Sequence, residues 1–576
     1  MNPFTKFPIL KWVAIAIGGL AVAAGAFFGI KALLSSQGEL DLGMIPDDVD
    51  YVASFNVQKA LDQTGIKITD DGIELPDELS DYESLIDDDV MDIIVRCNKA
   101  IESRQIMFFG FIKPESLSNS RDIPNDVYAL AKVKDNGLLR ELLEDEADLT
   151  RDEDEGFDIY TKGKKPLAIL VKDGYMWFVG GATDSKAVKK VQKLLDRADE
   201  KSLKDMKGIA QNINNGSIFT LNVNTGKILK LSEMLSGEMP TEYALALSAV
   251  SDKLKGSWFN FSADLEGTTA TLKGKYYKPD DGKTVDFGVS QPVDTHFLTY
   301  IPADFQCVAA FEIKPEITAQ LCDGLLKFTD NQYEQRISNA MEYSYYYDDY
   351  YIQSIRDEQQ MVRQYINALR YIDGTIGGGI GFSDLPELIY GGKTGGLRFV
   401  FTAQMKPGTA DNLKNSLRSA FNPIDSTAVT SDDIVIPVTR DMSLYIKSIG
   451  NDIILSNFDV RQGNTNNFAS TVQGNDMVLS AKIPTVKDLT DSQCDYGFNA
   501  EYKYVNGECS FIVEITNCKE NIIGAIMNLT KGFIAGENSY DRTHNDYSYG
   551  YDYGYGYDTN AVEAVADSTV ACEYAY

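Results

Sequence analysis

"GMIPDDVDYVASFNV", residues 43–57, returns in looser spelling as "TYIPADFQCVAAFEI", residues 299–313. Ile-Pro, an Asp two places after that Pro, and Val-Ala-x-Phe keep the same internal spacing in both. Pro has no ladder donor and suits a strand entrance, so each copy reads as the start of a strand. The segments that follow each copy also repeat in order. "QIMFFGFI" (105–112) answers to "GTIGGGIGF" (374–382), and "DVYALAKV" (126–133) to "LRFVFTAQM" (397–405). Leu138, Leu139, Leu142 and Leu143 share a helix side, as do Leu413, Leu417 and Ala420. "LAILV" and "YMWFVG" flank Asp173-Gly174, a hairpin signal because that turn needs positive φ, and "SLYIKSI" and "DIILSN" flank Gly450-Asn451. A closing hairpin turns at Glu266-Gly267 in the first half and at Asn506-Gly507 in the second.

This order predicts an α+β chain of two tandem homologous domains, 43–277 and 297–535, with mainly antiparallel sheets covered by helices. Residues 278–296, rich in turn formers, read as the linker. An amphipathic helix is expected after Asp184, taken as its N-cap. The second half is expected to add a helical insertion at about 316–372 and to shorten the helix after "DIILSN". Val52 and Phe55, like Val308 and Phe311, are expected to be buried together on the helix-covered face of each sheet.

The first residues set the compartment. Trp12 to Ile30 carries no charge, and at about 1.5 Å per residue it approaches the thickness of a hydrocarbon core. Lys6 and Lys11 precede it, and Glu39, Asp41, Asp47, Asp48 and Asp50 follow. Positive charge stays inside, so a single-pass anchor with a cytoplasmic N-terminus (1–11) and a periplasmic bulk is expected. Ala24 to Ala26 offers a possible signal-peptidase site, but the apolar run continues beyond it. Gly25 and Gly29 form a GxxxG pair able to pack two such helices, against the plainer reading that small residues are common in any span. From about residue 538 to 576 the Tyr/Asp/Gly-rich tail offers no face to bury and is expected to be disordered.

A formal net charge of −31, from 85 acids against 54 bases, repels phosphate backbones and argues against nucleic acid as a partner. Asp152 to Glu155 could suggest a weak divalent site, but "DEDEGFDIYTKG" lacks the Gly and Glu positions of a calcium loop. The two histidines are His296, in the linker region, and His544, in the tail, without an evident scaffold for a catalytic base. Seven cysteines contain no CxxC. The glycines of 374–382 lack the Lys-Ser/Thr of a phosphate loop and read instead as a smooth strand face that something packs against closely. No catalytic, cofactor-binding or metal residues are assigned, and no cofactor is expected. Counting outward from Asn506-Gly507 brings Cys518 opposite Asp495, one place from Cys494. That makes a Cys494–Cys518 disulfide the candidate pairing in an oxidising compartment.

The recurring Ile-Pro-x-x…Val-x-x-Phe phrase and the strand–helix–hairpin order resemble uncharacterised cell-envelope proteins of Bacteroidota, in a domain-of-unknown-function family. The resemblance spans roughly 43–535 and implies an extracytoplasmic α+β protein without established activity. The expected function is non-catalytic binding or envelope organisation. Alternatives are a carrier of an apolar ligand such as a lipid, and a carboxylate-based hydrolase without a recognisable motif. A protein partner is the remaining possibility for the binding reading.

Overall fold

The computed structural model describes residues 42–526 apart from 70–71, 77–87, 103–105, 112–125, 164–166, 227–253, 343–348, 384–395, 422–427, 430–432, 439–441, 465, 486–495, 519–521 and 523. The anchor run 12–30 with Gly25 and Gly29, the position of Cys494, and the tail with His544 lie outside these residues. Among the described residues no helix is long and apolar enough to cross a membrane.

Helices and strands are mixed; apart from a small antiparallel pair, Lys67–Ile68 with Ile73–Glu74, the described strands build one large antiparallel sheet. In the first half these are β1 (Tyr51–Phe55), β2 (Ile106–Gly110), β3 (Val127–Lys132), β4 (Thr150–Asp154), β5 (Phe157–Thr161), β6 (Leu167–Lys172), β7 (Tyr175–Gly180), β8 (Phe219–Asn224), β9 (Trp258–Glu266) and β10 (Thr269–Tyr277). The second half supplies β11 (Cys307–Glu312), β12 (Ile372–Gly381), β13 (Arg398–Met405), β14 (Ala428–Val429), β15 (Ile434–Pro437), β16 (Ser443–Ile449), β17 (Asp452–Ser456), β18 (Met477–Ile483), β19 (Gly497–Val505) and β20 (Glu508–Thr516).

Pairing runs β4-β5-β6-β7-β3-β2-β1-β8-β9-β10 through the first half. Strand β10 then pairs with β20, from Thr269 opposite Glu514 to Lys275 opposite Glu508. From there the order is β20-β19-β18-β11-β12-β13-β17-β16-β15-β14. Counted outward from the β10–β20 junction, the second half meets its strands in the order of the first. Both Ile-Pro phrases stand just ahead of inner strands, β1 and β11, with Ile45 and Ile301 fully buried.

The expectation of two sheets is thus corrected to one. Each closing hairpin leaves its last strand with an unpaired edge, and the two edges satisfy each other, removing the open ladder that an isolated half would present. The linker is no loose tether either. Thr284 bridges Tyr277, Ser290 bridges Ile313, and Phe287 lies edge-on to Tyr276 at 5.0 Å.

Val52 and Val308 are buried as expected, but Phe55 and Phe311 are only half-buried. Side chains alternate across a strand, so residues three apart cannot share a face. The Val52 side, here the front, packs the main cores. In the first half α4 (Asp184–Glu200) and α5 (Lys207–Ile213) press Val188, Val191 and Ile209 onto Phe109, Leu130 and Trp177. The cap of α4 falls at Thr183, one residue ahead of Asp184. In the second half the front is covered by a 3-10 helix, Thr295–Tyr300, and by α9 (Ala469–Val472). The other α-helices among the described residues are α1 (Val57–Thr64), α2 (Asp88–Ala100), α3 (Asn136–Glu141), α6 (Pro315–Glu342), α7 (Asp349–Leu369) and α8 (Ala410–Phe421). Helices α6 and α7 occupy the span read as an insertion. The first half carries α1 and α2 at the corresponding place, between its first two strands.

The glycine face of β12 is packed on the front by rings. A Cβ at Gly377 would come 2.5 Å from Phe297, and one at Gly381 2.6 Å from Phe305. Gly381→Ala is therefore expected to cost about 1–3 kcal/mol through overpacking, read as a fall in the urea midpoint at unchanged m-value. An unchanged midpoint would mean that Phe305 is free to move aside.

Candidate binding surface

On the back of the sheet, alternation brings apolar residues of every central strand into register. One row runs Phe401, Gly378, Ala309, Leu479, Tyr502, Phe511 and Leu272 across β13, β12, β11, β18, β19, β20 and β10. The neighbouring row holds Ile376, Phe311, Met477, Tyr504 and Cys509. Phe401 lies across Gly378, where a Cβ would meet its ring at 2.6 Å, and stacks at a tilt on Phe399 at 5.5 Å.

The two halves treat this face differently. In the first, α1 and α2 press Val57, Leu61 and Ile94 onto Phe55 and Ile106, and α3 covers Ala131 and Val171. In the second, α6 and α7 spend their apolar sides on each other, packing Tyr333 and Ala340 against Ile355. The Tyr333 hydroxyl donates to Glu358 at 2.8 Å and Arg336 pairs with the same carboxylate at 3.2 Å, which together hold that acid below its usual range. With those helices engaged elsewhere, Phe401 (47%), Leu455, Met477, Leu479 (48%) and Phe511 stay exposed on the back. Among the described residues every exposed large apolar side chain belongs to the second half. Singly exposed apolar residues are ordinary, but a set in register is not.

The polar atoms of this surface carry no charge at neutral pH. Burial, with Asp286 and Asp476 nearby, pushes the Tyr504 phenol up to about 12, and burial also raises Tyr502, Cys307 and Cys509. The surface can therefore accept an apolar partner without stranding an ion.

Other candidates gather less. Among the described residues no group of His, Cys, Asp and Glu is arranged to hold a metal. The acidic run Asp152–Asp154 lies in β4, an end strand of the sheet, where charge discourages further pairing. A depression of about 280 Å³ beside α1 is lined by Gln58, Asp62, Lys67, Thr69 and Asn98 among others, below the usual size of ligand pockets. His296 has a scaffold that the sequence did not suggest. Its Nε2 lies 3.4 Å from Asp452 Oδ2, an oxygen that also accepts the Tyr300 hydroxyl at 2.7 Å. Burial and that bond raise the Tyr300 phenol, so it stays a donor. The imidazole also lies 3.5 Å from the Gln462 amide, which is not a nucleophile. Cys518 is half-buried beside Tyr496, Ile515 and Ile522. The register there, Gly497 opposite Thr516, is that of the expected two-residue turn, with Asn506 and Gly507 both at positive φ. Since Cys494 lies outside the described residues, its pairing with Cys518 stays a proposal.

No family model and no curated protein matches the chain. A solved structure titled "Structure of crystal form I of TP0453" is similar over 42% of this chain and 80% of its own, at 10% identity and a TM-score of 0.21. A likeness that low carries no argument.

Proposed function

We propose that the protein is a membrane-anchored, extracytoplasmic binding protein made of two copies of one α+β unit, and that the back of its second copy holds an apolar ligand of lipid type. The common strand order on either side of the junction supports the duplication. The uncharged Trp12–Ile30 run and the charge step across it support the anchor, N-terminus inside. The observation that carries the binding reading is the register of exposed Phe401, Leu479 and Phe511, which the homologous helix pair would cover had it packed as in the first copy. Binding without catalysis is the reading that this surface favours, because what it offers a partner is area and not reactive groups.

The test is photolabelling of the full chain in its membrane with a diazirine fatty acid. Label is expected on peptides of β13 and β18–β20 and is expected to fall several-fold in Leu479→Asp. Label confined to the N-terminal span, or unaffected by that substitution, would remove the reading. Topology has its own check: protease added to spheroplasts should digest the chain beyond residue 35, and protection of that region would place the surface in the wrong compartment.

A further inference from the structure

Helix α7 uses its two sides differently. On the inner side Ile352, Ile355, Gln359 and Val362 recur at three-to-four spacing and turn toward α6. The apolar three pack with Tyr333 and Ala340, and the Gln359 amide donates to Asp330 at 3.0 Å. A second line at the same spacing, Tyr350, Ser354, Asp357, Met361, Tyr365 and Ala368, runs along the opposite side. Tyr350 is 82% exposed, Met361 is 50% exposed, and Tyr365 is exposed with them. Large side chains exposed along one side of a helix form a surface and not a scatter.

The chemistry of this line separates its occupants. The chain carries a net charge of −31, so two copies repel each other over most of their surfaces. On this line Asp357 is the one charged residue, and the Gln353 amide donates to it at 2.9 Å. Contact between copies therefore meets the least repulsion here. An acyl chain fits the line less well than it fits the back of the sheet, because it would strip water from Asp357 and the flanking Gln360 and Gln364 without offering them a bond. A copy of the same helix does offer one. When two such helices lie antiparallel about a two-fold axis at Met361, residues equally far from Met361 on either side stand opposite each other. Asp357 then faces Tyr365 of the second copy, whose hydroxyl is a donor for the carboxylate. Ser354 faces Ala368, two small side chains that let the helices approach.

We propose that the outer side of α7 docks a second copy of this chain, antiparallel about Met361. The helix face measures about 30 Å by 10 Å, less than the ~800 Å² per partner of a standard interface. Association is therefore expected to be weak and to be caught by crosslinking, not by elution volume. The proposal does not rest on the lipid reading, which concerns the back of the sheet.

The experiment compares Met361→Cys with Arg356→Cys in the full chain in its membrane, under mild oxidation and on non-reducing gels. Arg356 is exposed on the same helix but lies off the line. A disulfide-linked dimer is expected for Met361→Cys, several-fold above the parent chain with its own cysteines, while Arg356→Cys is expected to stay at the parent level. Tyr365→Asp added to Met361→Cys sets two carboxylates opposite each other and is expected to cut the dimer several-fold at unchanged circular dichroism. Equal yields at 361 and 356, no dimer above the parent, a crosslink solely to a different protein, or a Met361→Cys dimer that Tyr365→Asp leaves intact would overturn the proposal.

Discussion

Thr271→Pro is expected to uncouple the two halves of the sheet. Thr271 sits in mid-β10, opposite Asp264 of β9 and Ile512 of β20. With a neighbour on each side, every residue in such a strand gives its N–H to one ladder or the other, and Pro has none to give. The cost should be about 3 kcal/mol or more, concentrated at the β10–β20 ladder that joins the halves. Tryptophan fluorescence and circular dichroism make this visible, because Trp177 and Trp258, both buried, report on the first half alone. In the parent chain urea is expected to move both signals together. In Thr271→Pro the midpoints should separate. Coincident midpoints at lowered urea would mean that the halves are coupled by something other than the β10–β20 ladder.

Phe109→Ala should cost about 3–5 kcal/mol. Its ring is fully buried on the front, stacked on Tyr128 at 5.5 Å and edge-on to Trp177 at 6.3 Å, so truncation leaves a cavity among side chains pinned by α4. The informative comparison is Phe401→Ala, the same deletion on the exposed back. That substitution is expected to stay within about 0.5 kcal/mol, as surface changes do. Urea midpoints at constant m-value measure both. If Phe401→Ala were as costly as Phe109→Ala, the back would be part of the core, and the case for a ligand surface there would fall.

Much of the local structure was legible along the chain because its signals act between near neighbours. Asp173-Gly174 and Asn506-Gly507 announce their hairpins since both residues of each turn adopt positive φ, and the alternation in Tyr175–Gly180 requires no distant contact to be read. The repeat of the Ile-Pro phrase was readable for the same reason, being a matter of spacing. An acidic strand such as Thr150–Asp154 was not, because charge at a sheet end resembles charge in a loop until its neighbour β5 is known. Pairing Val52 with Phe55 on one face came from matching letters where strand geometry imposes a period of two.

Long-range arrangement belonged to the tertiary structure. Nothing near Thr269–Tyr277 says that it will pair with Glu508–Thr516, since that contact depends on two edges left unsatisfied far apart in the chain. His296 and Asp452 likewise meet only in the fold. The span 316–372 reads as helical from the sequence, but whether a helix pair covers the sheet or turns its apolar side inward is settled by competition between two packing surfaces. The outcome of that competition leaves Phe401, Leu479 and Phe511 exposed.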